Sequence, residues 1–360
     1  MKLLRSISML ASGLLLSASG AAAQLSLTPP AAQPQPSASK PAVKPKAKPH
    51  APTGKPGPNA ATPKPAATPP AATVTAAPVP DDPNVDLVYG AYQRGMYKTA
   101  FDLATKRVQD KGDPKAMTML GELYANAMGV KLDYAKAADW YKRAADGGDP
   151  QGMFALAMLR LEGRGGPVNR EEAVKLLASS AKLGNPKAAY NLALLYLDGQ
   201  TLPQDLKRSA ELLRLAADAG NPEAQYALAT FYKEGTGVAK DIEKSVRLLQ
   251  TASLADNVDA EVEYAIALFN GTGTPQNRPA AVALLRKAAR QNSPIAQNRL
   301  AWVLVNGQGA PVDKVEGLKW HIVAKTAGKG DPMLDEALAG LSPEDRAKAE
   351  AAARKWLGTK

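Results

Sequence analysis

DPKAMTMLGELYANAMGVKLDYAKAADWYKRAADGG, residues 113–148, decides the fold, because its pattern returns in phase five more times. Asp113-Pro114, Asp149-Pro150, Asn185-Pro186, Asn221-Pro222, Asn257-Val258 and Ser293-Pro294 open six successive units of 36 residues. A fixed period of this length marks a solenoid, in which each unit buries its apolar face only by stacking on its neighbours.

Counting Asp113 as position 1, position 4 reads Ala116, Gly152, Ala188, Ala224, Ala260 and Ala296. Position 8 reads Leu120, Leu156, Leu192, Leu228, Tyr264 and Leu300, and position 9 is Gly121 followed by Ala157, Ala193, Ala229, Ala265 and Ala301. Positions 4, 8 and 12 share one helical face, so this half of each unit is predicted as a helix A of about a dozen residues. Small residues recur there because two helices cross closely. The opening Asp or Asn followed by Pro supplies a cap and a first turn with pre-set φ. Gly163-Arg164-Gly165, Gly235-Thr236-Gly237, Gly271-Thr272-Gly273 and Gly307-Gln308-Gly309 end helix A, and termination explains these glycines without any phosphate site.

Helix B follows. Small residues stand at position 25 (Ala137, Ala173, Ser209, Ser245, Ala281, Gly317) and large ones at position 28 (Trp140, Leu176, Leu212, Leu248, Leu284, Trp320). This alternation lets neighbouring helices interdigitate. Gly148, Gly184, Gly220 and Gly328 close the units, whereas Asp256 and Asn292 replace that glycine and Thr201 replaces the second loop glycine of the third unit; looser junctions are expected there.

The order Asp/Asn-Pro-x-Ala, Leu-Ala/Gly, Tyr, Gly-x-Gly, Ala, Trp/Leu-Leu/Tyr, Ala-Ala, Gly over residues 113–328 resembles the Sel-one-like repeat, a longer relative of the tetratricopeptide repeat. The resemblance implies an all-α fold, a right-handed α/α superhelix of helix hairpins. It also implies a protein-binding role on a concave face lined by helix A. Val85–Gly95 and Tyr97–Asp110 are read as a capping hairpin within residues 81–112, and Asp331–Gly340 and Ser342–Trp356 as capping helices within residues 329–360. Trp356 and Leu357 are expected to pin the last helix to the array.

Upstream, Lys2 and Arg5, an apolar run from Ile7 to Leu16 and Ala21-Ala22-Ala23 give residues 1–23 the layout of a cleaved secretory signal peptide. Residues 24–80 hold 16 of the 29 prolines and no aromatic residue, which predicts a disordered Pro/Ala/Lys-rich tether. The chain has no cysteine, so neither a disulfide nor a lipid-modified cysteine can form. These features point to a periplasmic location, with secretion as the alternative, and to no transmembrane span after cleavage. Of the net charge of +11, residues 1–80 supply +8, because they hold eight Lys or Arg and no Asp or Glu; +3 remains for residues 81–360. A nucleic-acid binder would concentrate its basic residues on the folded part, so that class is excluded.

Chemistry is poorly provided for. There are two histidines, His50 in the tether and His321 beside Trp320, and no HExxH or CxxC spacing. Glu171-Glu172 sits where a helix begins, and Ser179-Ser180 replaces a small packing pair. No catalytic residue, metal site or cofactor is expected. The tyrosines at position 12 (Tyr124, Tyr196, Tyr232) and position 6 (Tyr190, Tyr226) recur at repeat spacing and are read as core.

One row of helix A changes character from unit to unit: positions 3, 7, 10 and 14. Variation at a fixed repeat position means that packing does not dictate the residue. From it we read Glu122, Met158, Asn191, Leu194, Thr230, Glu263, Ile266, Arg299 and Trp302 as partner-binding residues, with Met158, Leu194, Ile266 and Trp302 as apolar anchors. The expected protein is a monomeric scaffold or adaptor for another envelope protein. Two narrower readings stand beside it. The helical end Trp320-His321-Ile322-Val323-Ala324-Lys325 makes the exported array similar to periplasmic repressors that bind a sensor histidine kinase controlling exopolysaccharide synthesis. Alternatively, the basic tether holds the array on cell wall or acidic polysaccharide.

Overall fold

Asp113, Asp149, Asn185, Asn221, Asn257 and Ser293 each turn a side-chain oxygen onto the backbone N–H groups that follow, and so start six helices of one kind. The computed structural model describes residues 86–358, and among the described residues there are 16 helices and no strand. The signal peptide and tether read over residues 1–80 lie outside them. A first hairpin, α1 (Leu87–Gln93) and α2 (Tyr97–Lys111), precedes the array. Helix A is α3 (Pro114–Ala125), α5 (Pro150–Glu162), α7 (Pro186–Asp198), α9 (Pro222–Glu234), α11 (Val258–Asn270) and α13 (Pro294–Asn306). Helix B is α4 (Tyr134–Asp146), α6 (Arg170–Lys182), α8 (Leu206–Asp218), α10 (Ile242–Leu254), α12 (Arg278–Arg290) and α14 (Lys314–Thr326). Then come α15 (Pro332–Ala339) and α16 (Pro343–Leu357).

Helix B carries a cap as regular as that of helix A. At position 21, Asp133, Asn169, Asp205, Asp241, Asn277 and Asp313 each accept from the backbone N–H three residues on. Each such cap contributes about 1 kcal/mol. The backbone N–H of the same residue donates to the carbonyl at position 12 in every unit, from Asp133 to Tyr124 through Asp313 to Leu304, at 2.8–3.1 Å. Two local groups therefore fix the A-to-B loop six times over.

The B-to-A turn is equally uniform. The residue at position 36 takes the left-handed conformation, and the next backbone N–H but none further reaches back to the carbonyl at position 32, as in Asp149 to Ala144 and Asn221 to Ala216, both 3.0 Å. Asp256 (φ 60°) and Asn292 (φ 62°) adopt that conformation without glycine. Their following bonds, Asn257 to Ala252 and Ser293 to Ala288, are both made at 3.1 Å, while the Asp256 N–H reaches Ser253 O at 3.3 Å where the glycine of the other units makes that bond at 3.0 Å. Asp and Asn tolerate this region better than other side chains. The second loop glycine answers to a neighbour instead: a Cβ on Gly165 or Gly237 would meet the backbone of Tyr134 or Leu206, in the first turn of the preceding helix B. Thr201, at the same position, has no positive φ, and its loop is closed by Gln204 Nε2 donating to Leu197 O at 2.9 Å.

Each helix A packs on its own helix B, and each helix B on the next helix A. Ala, Leu and Phe fill the seams: Leu120, Leu156, Ala157, Leu177, Leu213, Phe231, Phe269, Leu300 and Leu304 are buried. Ser209 substitutes for alanine at position 25 because its Oγ donates to Ala193 O at 2.9 Å inside the seam. The position-6 and position-12 tyrosines pack partly buried against this core. At the far end α16 lies on α14, with the Trp356 ring 4.9 Å edge-on from Trp320. That ring contact is what pins the helix; Trp356 and Leu357 are otherwise exposed to a similar degree. His321 is fully buried, and its Nε2 lies 2.8 Å from Asp335 Oδ1 on α15, which Lys325 also binds at 2.7 Å.

Candidate functional site

Of the variable row on helix A, position 3 is the outermost. Lys115, Gln151, Lys187, Glu223, Asp259 and Ile295 are all exposed. Pro at position 2 and the cap at position 1 place this residue in the first turn, outside the seam with helix B. Positions 7 and 10 lie deeper, and that decides the standing of the residues read from the sequence. Glu122, Met158, Thr230, Glu263, Ile266, Arg299 and Trp302 are half-buried and line the face. Asn191 and Leu194 are only 7% exposed, so they are not the accessible contacts expected. Asn191 Nδ2 is spent on Lys187 O at 2.7 Å. Ile266 and Trp302 both pack partly into the core of the last units.

Polar members of the row are held by neighbours. Glu122 accepts from the Tyr141 hydroxyl at 2.9 Å and from Asn126 Nδ2 at 2.8 Å, and Thr230 Oγ1 donates to Tyr226 O at 3.2 Å. Lys233 Nζ bridges α9 to α11 by pairing with Glu263 at 2.9 Å. Around that bridge the face is acidic. Desolvation by the surrounding helices, and then the Glu263 carboxylate, push Asp259 above the usual carboxylate range even though its outer surface stays exposed, and burial does the same for Glu234. Tyr190 is pushed up to about 12 by burial and then by Glu223, while Tyr226 is raised by burial and by Glu263, Asp259 and Glu234. Glu234 of α9 and Asp259 and Glu263 of α11 crowd here around Tyr226.

The first three units and α1 enclose a cleft of about 530 Å3 that composition and periodicity did not reveal. Val88, Tyr89 and Tyr92 of α1 form one wall, and Lys115, Met119, Gln151 and Lys187 come from α3, α5 and α7. Tyr89 stacks on Tyr92 at 6.5 Å, and Tyr92 meets Tyr97 edge-on at 5.7 Å. The sequence signal was the i, i+3 tyrosine pair of α1, which a reading of that hairpin as a mere cap passes over. Among the described residues no three His, Asp or Glu side chains converge as metal ligands, and no helix is long and apolar enough to cross a membrane.

A family model described as Sel1 repeat matches residues 114–149, 150–185, 186–221, 222–257, 258–293 and 294–329, one residue downstream of the period counted from Asp113. The chain is similar to the crystal structure of a Sel1 repeat protein from Oxalobacter formigenes, with 26% identity and a TM-score of 0.60, covering 67% of this chain and 98% of that one. It also resembles c5321, described as a protective antigen present in uropathogenic Escherichia coli strains displaying an SLR fold, with 24% identity and a TM-score of 0.52 over 73% of this chain and 64% of that one. The second likeness concerns the fold alone. No curated protein matches the chain.

Proposed function

Because the chain belongs to the Sel1 repeat family, we propose that it is a protein–protein interaction scaffold that holds a partner protein along the helix A face, outside the cytoplasm. One observation carries this reading. Packing positions repeat from unit to unit, whereas position 3 is exposed in all six units and runs Lys, Gln, Lys, Glu, Asp, Ile. Side chains that no internal contact dictates are the ones a partner can select. Half-buried Met158, Ile266 and Trp302 supply apolar contact area beside this row, and the export layout of residues 1–23 supports an envelope partner.

Affinity capture from the native envelope tests the reading. The full chain is compared with a Met158→Ser, Ile266→Ser, Trp302→Ser variant whose helicity is checked by circular dichroism. A protein recovered with the parent chain and lost with the folded variant supports docking on this face. Equal recoveries, or none, overturn it.

A further inference from the structure

The charges that line the cleft between α1 and the first three units cancel: Asp86, Glu122 and Asp149 stand against Arg107, Lys115 and Lys187. A balanced lining favours an occupant without net charge. Its polar groups are only partly spent within the protein. Arg107 is held by Asp86 and Asp113. Glu122 accepts from the Tyr141 hydroxyl and Asn126, and Asp149 from the Thr118 hydroxyl and the Gly152 N–H, all of them neutral donors. A carboxylate has about four lone-pair sites, so half-buried Glu122 keeps acceptor capacity. Lys115 and Lys187, both exposed, form no ion pair among the described residues and keep donors. Beside these groups stands an aromatic wall. The rings of Tyr89 and Tyr92 lie 6.5 Å apart and are inclined by only 17°, and Tyr89 is 51% exposed. Burial, and then Glu122, raise the Tyr92 phenol, so it stays a neutral hydroxyl.

From this geometry we infer that the cleft binds a neutral oligosaccharide, which lays its sugar rings on the Tyr89 and Tyr92 wall while its hydroxyls donate to Glu122 and accept from the lysine ammonium groups. A hydroxyl is donor and acceptor at once, so it matches a lining that offers carboxylates and ammonium groups side by side. The C–H face of a pyranose is apolar and carries slight positive charge, which suits the electron-rich face of a tyrosine. Other occupants fit less well. A proline-rich or otherwise apolar peptide would use the tyrosines but would cover Glu122 and the lysines without pairing them, at a desolvation cost. An acidic or basic chain would meet as many like charges as opposite ones. The volume of about 530 Å3 lies within the range of about 300–1,000 Å3 usual for small-ligand sites. Met158, Ile266 and Trp302 do not line the cleft, so a saccharide here leaves the protein-docking contacts free.

Calorimetric titration and saturation-transfer NMR with the full chain test it. The probes are cellotetraose, maltotetraose and chitotetraose; tetragalacturonate, a chitosan tetramer and an alanine–proline peptide serve as acidic, basic and apolar comparisons. At least one neutral probe binds with a Kd of about 1 mM or tighter. Its affinity holds as salt is added, because a neutral ligand has no charge to screen. Saturating the tyrosine ring protons transfers signal to the C–H protons of the sugar. Tyr89→Ala weakens binding at least ~threefold by removing one stacking face, whereas Leu87→Ala, an exposed position of the same helix outside the cleft, leaves it unchanged; circular dichroism verifies that both variants fold. No binding by any neutral probe, tighter binding of a charged probe or of the peptide, or an affinity untouched by Tyr89→Ala overturns the inference. Capture of an envelope partner through Met158, Ile266 and Trp302 does not depend on the tyrosine wall, so the two readings fail separately.

Discussion

Gly121 faces Tyr141: a Cβ at Gly121 would lie 2.5 Å from two carbons of the Tyr141 ring. The other five units have alanine at position 9, and four of them have leucine at position 29. The first unit exchanges both together, a ring for a branched chain and a hydrogen for a methyl. Gly121→Ala alone overpacks the seam and costs about 1–3 kcal/mol. Gly121→Ala with Tyr141→Leu restores the pair of the other units and recovers most of that loss. Denaturant unfolding of the two single variants and the double variant measures the coupling; purely additive effects would sink this explanation.

Tyr141 also gives the array a sensitivity to alkali. Burial first, and then the Glu122 carboxylate that its hydroxyl binds, hold its phenol far above the usual range. The folded state therefore keeps a proton that the unfolded chain gives up near pH 10. Stability from this group is complete below pH 10 and declines as pH rises above it. Tyr141→Phe costs about 0.5–1.5 kcal/mol at neutral pH by losing the hydrogen bond, yet flattens the decline. Thermal unfolding of both chains between pH 8 and pH 11.5 checks the crossing trends.

Glu261 is fully buried on α11, and Lys287 of α12 reaches it at 2.6 Å while Gln291 donates to it at 3.0 Å. Lys287→Met leaves a buried carboxylate with half its partners and costs about 2–4 kcal/mol. Glu261→Gln is far milder, below about 1 kcal/mol, because a neutral amide needs no cation. Gln225 and Gln297 already occupy the same position in two other units, each donating to a carbonyl eight residues back at 3.1 Å. Urea midpoints of the two variants rank them; equal losses would contradict the account.

Ala127 stands in the left-handed region at φ 57°, where the other five units have glycine. The methyl group costs about 1–2 kcal/mol there. Glycine adds back roughly 0.4–1 kcal/mol of unfolded-chain entropy. Ala127→Gly therefore stabilises the chain by a net amount of about 0.5–1 kcal/mol, read as a higher melting temperature with unchanged helicity. A lower melting temperature would show that the loop is held by something other than φ.

Much of the fold was legible because the groups that set it lie close in sequence. The cap at position 1, the proline after it and the left-handed residue at position 36 each act on backbone groups within a few residues. The cap at position 21 is equally local and equally periodic, and counting that column would have found it. The candidate site was legible only as a row. Leu194 and Met158 occupy the same position and have similar hydrophobicity, yet Leu194 is buried and Met158 half-exposed. That difference depends on what the adjoining helices place over each side chain.

By itself the sequence determined the repeat, its phase, its caps and the all-helical class, since these follow from 36-residue periodicity and local hydrogen bonding. The tertiary structure decided what stacking alone can bring together. It gathers Tyr89 and Lys187 in one cleft, Glu261 with Lys287 in one seam and His321 with Asp335 at the far end. Such contacts join residues 14 to nearly a hundred positions apart. Their partners are chosen by the packing of one helix on the next, and no period within the chain records that choice.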